Sequence, residues 1–179
     1  IPRFHRLLAL DRGQEKAALE RFVDFVRERR ARWPDLHVYH YAAYEPAALK
    51  RLMGRHGTRE KEIDDLLRGE VFVDLYQVVR QAIRISHSSY SIKKVRGFFM
   101  SGAGEGLVTG GGDSILEFER WRVAGDPAIL QAIVDYNEED CLSTLKLRDW
   151  LLERKRDAEV ASGVTIPWNP APTRAENPK

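Results

Sequence analysis

The sequence predicts an α/β fold, because short β-prone runs alternate with amphipathic helical stretches and the connections between them are short. A further observation bears on its completeness. Only two or three strands can be found against many amphipathic helices, so the sheet is small for the helices it must carry. With 179 residues, 43% hydrophobic and 31% charged, the chain has the size and composition of one globular domain plus a tail.

Phe4 to Leu10 is apolar-rich and reads as a strand; Asp11, with Gln14 three positions on, has the layout of an N-cap with its capping box and opens a helix. Leu19, Phe22, Val23 and Val26 give that helix one apolar stripe, Arg27, Arg29, Arg30 and Arg32 a basic end that suits its dipole, and Trp33-Pro34-Asp35 a stop. Leu36 to Tyr41 reads as the next strand. It runs into a helix over Pro46 to Arg55, with Pro46 a favourable first-turn residue. Ile63, Leu66 and Leu67 in the charged segment Thr58 to Arg68 mark a further short helix. Val71 to Leu75 is a strand end passing into helix through Val78, Val79 and Ile83, and Tyr90 to Val95 is a short helix with Ser91 as N-cap. Ser101 to Asp113 carries six glycines without periodicity and reads as a flexible loop; no Gly-Lys-Ser/Thr follows, which excludes a P-loop. A long helix from Pro127 to Arg156 closes the domain, taken as residues 1–156, and residues 157–179 form a Pro-rich tail or linker.

No run of about 18 apolar residues occurs, so no membrane partner is expected, and the N-terminus lacks a signal-peptide layout, which makes the cytoplasm the default location. A single cysteine, Cys141, cannot form an internal disulfide; its place in a helical pattern suggests a buried, inert thiol. The formal charge of +2 does not by itself point to nucleic acid. Basic clusters (Lys50, Arg51 and Arg55; Lys93, Lys94 and Arg96) fit solvated helix faces as well as phosphate contacts.

Two carboxylates stand where the pattern does not ask for them. Ile129, Ile133, Tyr136, Asp140, Leu147 and Leu151 share one stripe of the last helix, so Asp140 takes a position suited to an apolar residue. Such a group needs a cation or a donor, supplied either by a neighbouring arginine at the rim or by a metal site. Tyr136, four residues earlier, lies on the same face and can address the same water or metal. Glu45 precedes Pro46 and is too long to cap well. It either favours the helix N-terminus electrostatically or is a ligand at the carboxyl end of a strand, where α/β folds place their sites.

Tyr39-His40-Tyr41-Ala42-Ala43-Tyr44-Glu45 followed by Pro46-Ala47-Ala48-Leu49 resembles the second exonuclease motif of the DEDD superfamily, in particular the YprB-type ribonuclease H-like domain of RecB-like nucleases. In that family the motif runs Tyr-Asn-Gly, two variable residues, Phe-Asp; Tyr44 then takes the aromatic position, Glu45 the metal-binding acid and His40 the place of Asn. Both His40 and Glu45 depart from the usual residue. Asp74-Leu75 resembles the family's intermediate Asp-Leu strand end, Tyr90-Ser91-Ile92-Lys93-Lys94 its Tyr-Ser-Leu-Lys helix start, and Tyr136 with Asp140 the Tyr-x-x-x-Asp third motif of the tyrosine-bearing subclass. The matches keep the family's order and reach to about Glu153. The first motif, Asp-x-Glu on the first strand, belongs before Phe4 and is not found there; Asp11 and Glu15, four apart at a helix start, cannot replace it, so the expectation is a domain that begins after its first strand.

The resemblance implies a ribonuclease H-like fold and 3′-to-5′ hydrolysis of phosphodiester bonds with two Mg²⁺ or Mn²⁺ ions about 4 Å apart. Glu45 and Asp140 would be the metal ligands present, Tyr136 would orient the attacking water, and Asp74 would serve structure. Lys93 is a candidate contact to the nucleic-acid backbone, His40 lies on the substrate side, and Tyr44 either stacks a base or packs, packing being the commoner role of aromatic residues beside strands. The implied partner is DNA or RNA, by analogy a single-stranded 3′ end. With half the acids missing, weak activity is expected. The alternative is a catalytically silent nucleic-acid-binding module attached to a helicase-like partner, which the Pro-rich tail would permit.

Overall fold

The computed structural model describes residues 2–100 and 111–168. Helix α1 spans Arg12–Arg32. Its capping box forms with a shift of one residue: Asp11 Oδ1 accepts the Gln14 N–H at 2.8 Å, while Gln14 Oε1 accepts from the amide of Leu10 rather than of Asp11. Leu19, Val23 and Val26 on its expected stripe are buried. Strand β1 (Val38–His40) leads into α2 (Tyr44–His56), which ends at Gly57 in the left-handed conformation, φ 56°. Then follow α3 (Glu60–Arg68), β2 (Phe72–Asp74) and α4 (Leu75–Ala82), the last capped by the Asp74 carboxylate.

Strands β1 and β2 pair in parallel, with Val38 opposite Phe72, Tyr39 opposite Val73 and His40 opposite Asp74. A parallel pair needs a long crossover, and α2 with α3 provides it. Successive side chains of a strand point to opposite faces, which divides the core in two. Val38 and Phe72 pack with Leu19, Val23, Val26, Leu49, Ile63, Leu66 and Val71, on the side of α1, α2 and α3. Val73 and the neighbouring Tyr41 pack with Leu75, Val79, Val95 and Leu147, on the side of α4, α5 (Ile92–Val95) and α7 (Pro127–Ser162). The result is a helix–sheet–helix sandwich around a small sheet.

Four expectations are corrected. Phe4 to Leu10 is not a strand: it forms no ladder, and Leu7 and Leu10 are exposed. A strand exists only through a neighbour, and none of the described residues offers it one. Ser91 does stand at the N-cap of α5, but its side chain makes no capping bond, and the helix passes at once into a 3-10 turn, Arg96–Phe98. Residues 101–110 of the expected loop lie outside the described residues, whereas its last three, 111–113, begin α6 (Gly111–Ala124), a helix that the sequence reading did not anticipate. Finally α7 runs past Arg156 to Ser162, so the boundary at 156/157 falls inside a helix, and the chain then turns back: Ile166 N–H donates to Glu159 and Lys155 lies 4.7 Å over the Trp168 ring. The rest of the expected tail, 169–179, lies outside the described residues. No helix of the described residues is long and apolar enough to cross a membrane.

A polar clasp joins the start of α1 to the end of α2. Glu15 Oε2 lies 2.7 Å from the buried His56 Nε2 and 3.1 Å from Arg55 Nη1. The hydrogen bond to His56, with Arg55 beside it, holds the Glu15 carboxyl below its ordinary value against the opposing effect of burial. A pKa lower in the folded than in the unfolded chain means a contribution present above about 4.5 and lost as the pH falls through the folded value. Glu15→Gln is therefore expected to lower the melting temperature at pH 7 and to flatten its decline below pH 4.5, the clasp contributing no more than about 1 kcal/mol because Glu15 is partly solvated. Parallel melting curves of the two proteins across that range would contradict the assignment.

Candidate functional site

The carboxyl ends of β1 and β2 carry the polar residues that the sequence singled out. His40 closes β1 and is 5% exposed. Its Nδ1 lies 2.6 Å from the Ala42 carbonyl; a carbonyl only accepts, so that nitrogen carries the hydrogen. The same atom lies 3.6 Å from Glu45 Oε2, an ion-pair distance rather than a hydrogen bond. Burial pushes the imidazole pKa down, but Glu45, the Ala42 carbonyl and the Asp74 charge outweigh it, and the net shift is upward. His40 is thus an interior group braced against Glu45, its ring steeply inclined, at 61°, to that of Phe72.

Between β1 and α2 the chain turns through Ala42, whose φ of 65° lies in the left-handed region. Two hydrogen bonds hold it there: its N–H donates to Asp74 Oδ1 at 2.9 Å and its carbonyl accepts from His40. Asp74 also accepts from the Tyr76 amide at 2.9 Å, which accounts for its carboxylate as the latch between strand ends and α4. An L-residue in this conformation costs about 1 kcal/mol that glycine does not. Ala42→Gly is expected to stabilise the protein by up to about 1 kcal/mol, offset in part by the entropy glycine loses, and Ala42→Val to destabilise it by more. Urea midpoints of the two variants, moving in opposite directions, are the measurement; a shared direction would argue against strain at this turn.

The turn delivers Glu45 to the first turn of α2, with its side chain 49% exposed and Tyr44 beside it 71% exposed. The expectation that Tyr44 packs is overturned. Its ring stands in solvent because α2 meets the core through Leu49, Leu52 and Met53, and Tyr44 is turned about 140° around the helix from Leu49.

Helix α7 brings the second carboxylate. Asp140 is half-buried and accepts a hydrogen bond from Tyr136, one helical turn before it. Burial raises the Asp140 pKa; the Tyr136 bond and the charges of Arg96 and Lys93 pull against that, Glu139 adds to it, and the balance is upward. Arg96 pairs with Glu139, so α5 and the 3-10 turn supply positive charge to this stretch of α7. Ser143 and Thr144 turn their hydroxyls back onto the Glu139 and Asp140 carbonyls at 2.8 and 2.9 Å. Cys141 is exposed, contrary to the expected burial, yet its thiol is pushed up, by the protein around the sulfur first and then by Asp140, Glu45 and Glu138. Cys141 on α7 thus feels the charge of Glu45 on α2 as well as that of Asp140 beside it, whereas the Asp140 carboxyl answers to Tyr136, Arg96, Glu139 and Lys93.

The residues the sequence singled out therefore fall into two groups, Glu45 with His40 at the start of α2, where Tyr44 is exposed, and Asp140 with Tyr136 and the exposed Lys93 at α7 and α5. Arg96 and Glu139 belong to the second group. The sequence signalled Arg96 only as one member of a basic cluster, and Glu139 carries no signal beyond its place next to Asp140. A family model of the RNase H superfamily matches residues 1–152. The chain belongs to the RNase H superfamily. No curated protein and no solved structure matches it. All of these residues of this RNase H superfamily domain lie inside the matched span, which covers β1, β2 and most of α7.

Proposed function

We propose that this RNase H superfamily domain is a metal-dependent nuclease of the YprB-like, tyrosine-bearing type, hydrolysing phosphodiester bonds from single-stranded 3′ ends of DNA or RNA by a two-metal route. The observation that carries the reading is the half-buried Asp140, hydrogen-bonded by Tyr136 on α7 and next to Cys141, which also feels the charge of Glu45 on α2. Carboxylate oxygens are the ligands hard divalent ions prefer, and a half-buried Asp140 with an upward-shifted pKa is a group that a cation would stabilise, so the donor chemistry fits Mg²⁺ or Mn²⁺. The donor number is low: among the described residues no three His, Cys, Asp or Glu surround one point. Weak metal binding and slow hydrolysis by these residues alone are expected.

Bound at Glu45 and Asp140, such an ion would supply Lewis acidity toward a phosphoryl oxygen and a water of lowered pKa. The protein's own groups set the stage. His40 and the Ala42 turn fix where Glu45 stands, Tyr136 holds Asp140 through its hydroxyl and orients water there, Lys93 meets the phosphate backbone, and Tyr44 offers a face to a terminal base. One observation favours the second reading, a silent nucleic-acid-binding module: Arg96 and Lys93 already lend Asp140 positive charge.

Calorimetric titration of Mn²⁺ into the chain and into its Glu45→Ala, Asp140→Ala double variant tests the proposal. Binding to the first and none detectable to the second is the expected result. Equal binding by both would remove the metal site from this pair, and no binding by either would favour the silent module.

A further inference from the structure

A cleft of about 640 Å³ opens beside the strand ends, lined by Ala42, Ala43, Asp74 and, from α4, Tyr76, Gln77, Arg80 and Gln81. Its volume lies within the range of small-ligand pockets, about 300–1,000 Å³. The helix contributes two rows at a spacing of four residues, Tyr76 with Arg80 and Gln77 with Gln81, so one row is a flat aromatic and cationic surface and the other a pair of amides. The Arg80 guanidinium lies over the Tyr76 ring at 5.6 Å from its centroid. The Tyr76 ring itself is set by an edge contact with Tyr41 at 5.5 Å and 72°, and the Tyr41 hydroxyl is tied to the Tyr90 carbonyl. The platform is thus rigid, while Arg80, exposed, can swing aside or cover a guest.

The lining selects among ligands. One cation and one anion face the cleft, and the Asp74 carboxylate is committed to the Ala42 and Tyr76 amides, so a phosphate would find little net attraction. A planar, uncharged group with hydrogen-bonding edges fits better: its face suits tyrosine and guanidinium, and its edge suits glutamine amides, which both donate and accept. Ala42 and Ala43 in the lining, with their short side chains, leave room for a ring. Those alanines immediately precede Tyr44 and Glu45, so a strand whose base fills the cleft continues toward the first turn of α2.

We infer that this cleft is a subsite for one unpaired nucleobase of a single-stranded nucleic acid, stacked on Tyr76 beneath Arg80 and met at its edge by Gln77 and Gln81. The inference rests on the nuclease reading and adds to it a site that leaves the carboxylates untouched.

Fluorescence anisotropy with a labelled single-stranded oligodeoxyadenylate, and with an oligonucleotide of equal length lacking its bases, tests it. The intact chain is expected to prefer the base-bearing strand. Tyr76→Ala should weaken that strand about tenfold and leave the abasic one unchanged, while Tyr76→Phe keeps the ring and the preference. The surface variant Gln77→Ala, Gln81→Ala, which removes no buried group, should lose about threefold toward the base-bearing strand only. Arg80→Ala should lower affinity with little change in salt dependence, because stacking releases no counterions; a salt slope reduced by about one would make Arg80 a phosphate contact and overturn the base subsite. Wild-type binding that is indifferent to Tyr76→Ala and to the glutamine variant would overturn the subsite alone. Failure of the intact chain to bind either strand would overturn the nuclease reading, and the subsite with it.

Discussion

Tyr136→Phe is expected to lower kcat for phosphodiester hydrolysis by about 100-fold while changing Mn²⁺ affinity by less than about tenfold. The phenol is one turn from Asp140 on α7 and hydrogen-bonds its carboxylate, so only the hydroxyl and its proton are removed and the ring is kept. Loss of one positioned hydrogen-bonding group at a reacting centre costs about 10²–10³ in rate when that group acts chiefly in the transition state. The carboxylate itself remains, which is why metal binding suffers less. The bond lowers the Asp140 pKa, so its removal shifts Asp140 further up, and the rate that remains should need a higher pH to reach its plateau. A purely structural Tyr136 would leave kcat and the pH profile in place and lower only the melting temperature, and that result would withdraw its role in orienting water.

Much of the frame around this site was legible because it is written in local chemistry. Asp11 with Gln14 and Pro46 in the first turn of α2 are start signals whose physics is confined to a few residues. Strands β1 and β2 stood out as apolar β-prone runs because a strand covered by helices on both faces has few polar positions. Asp140 stood out for the complementary reason, a carboxylate in an apolar stripe, and the structure finds it half-buried with Tyr136 as donor and Arg96 and Lys93 as nearby cations. Asp74 likewise has the structural role expected of it, as the latch between Ala42 and α4.

What was not legible depends on partners distant in sequence. Phe4 to Leu10 has the composition of a strand, but composition cannot say whether a neighbouring strand is present to pair with it. Helix α6 escaped because its apolar residues do not fall on one stripe: Ile115, Leu116 and Val123 are all exposed. The Ala42 turn carries no glycine to announce a positive φ, since two tertiary hydrogen bonds rather than residue type impose it. Cys141 is exposed for a reason of helix geometry. One residue past Asp140 is about 100° around the helix, outside the stripe that Leu147 and Asp140 define.

Leu147→Ala is expected to destabilise the protein by about 3 kcal/mol, a large share of the roughly 5–15 kcal/mol available to a domain. Leu147 is fully buried among Leu75, Val79 and Val95, where α7 meets α4 and α5 on the sheet face flanked by Val73. Removing its isobutyl group leaves a cavity lined by side chains from three elements, two of which are anchored at their starts by Asp74 and Asp126 and cannot readily close over the void. Leu151, only partly buried against the same cluster, should cost less than half as much when truncated to alanine. The consequence reaches the site, because Asp140 lies on the same face two turns before Leu147, and the docking of α7 on β1 and α4 sets where its carboxylate stands. Urea unfolding of Leu147→Ala should show a lower midpoint with an unchanged slope, and Mn²⁺ affinity should weaken under conditions in which the variant is still folded. Destabilisation below about 1 kcal/mol would mean that α7 is held to the sheet elsewhere along its length. Full destabilisation with unaltered Mn²⁺ affinity would separate the packing of α7 from the placing of the Asp140 carboxylate, and remove the mechanical link between this core and the proposed chemistry.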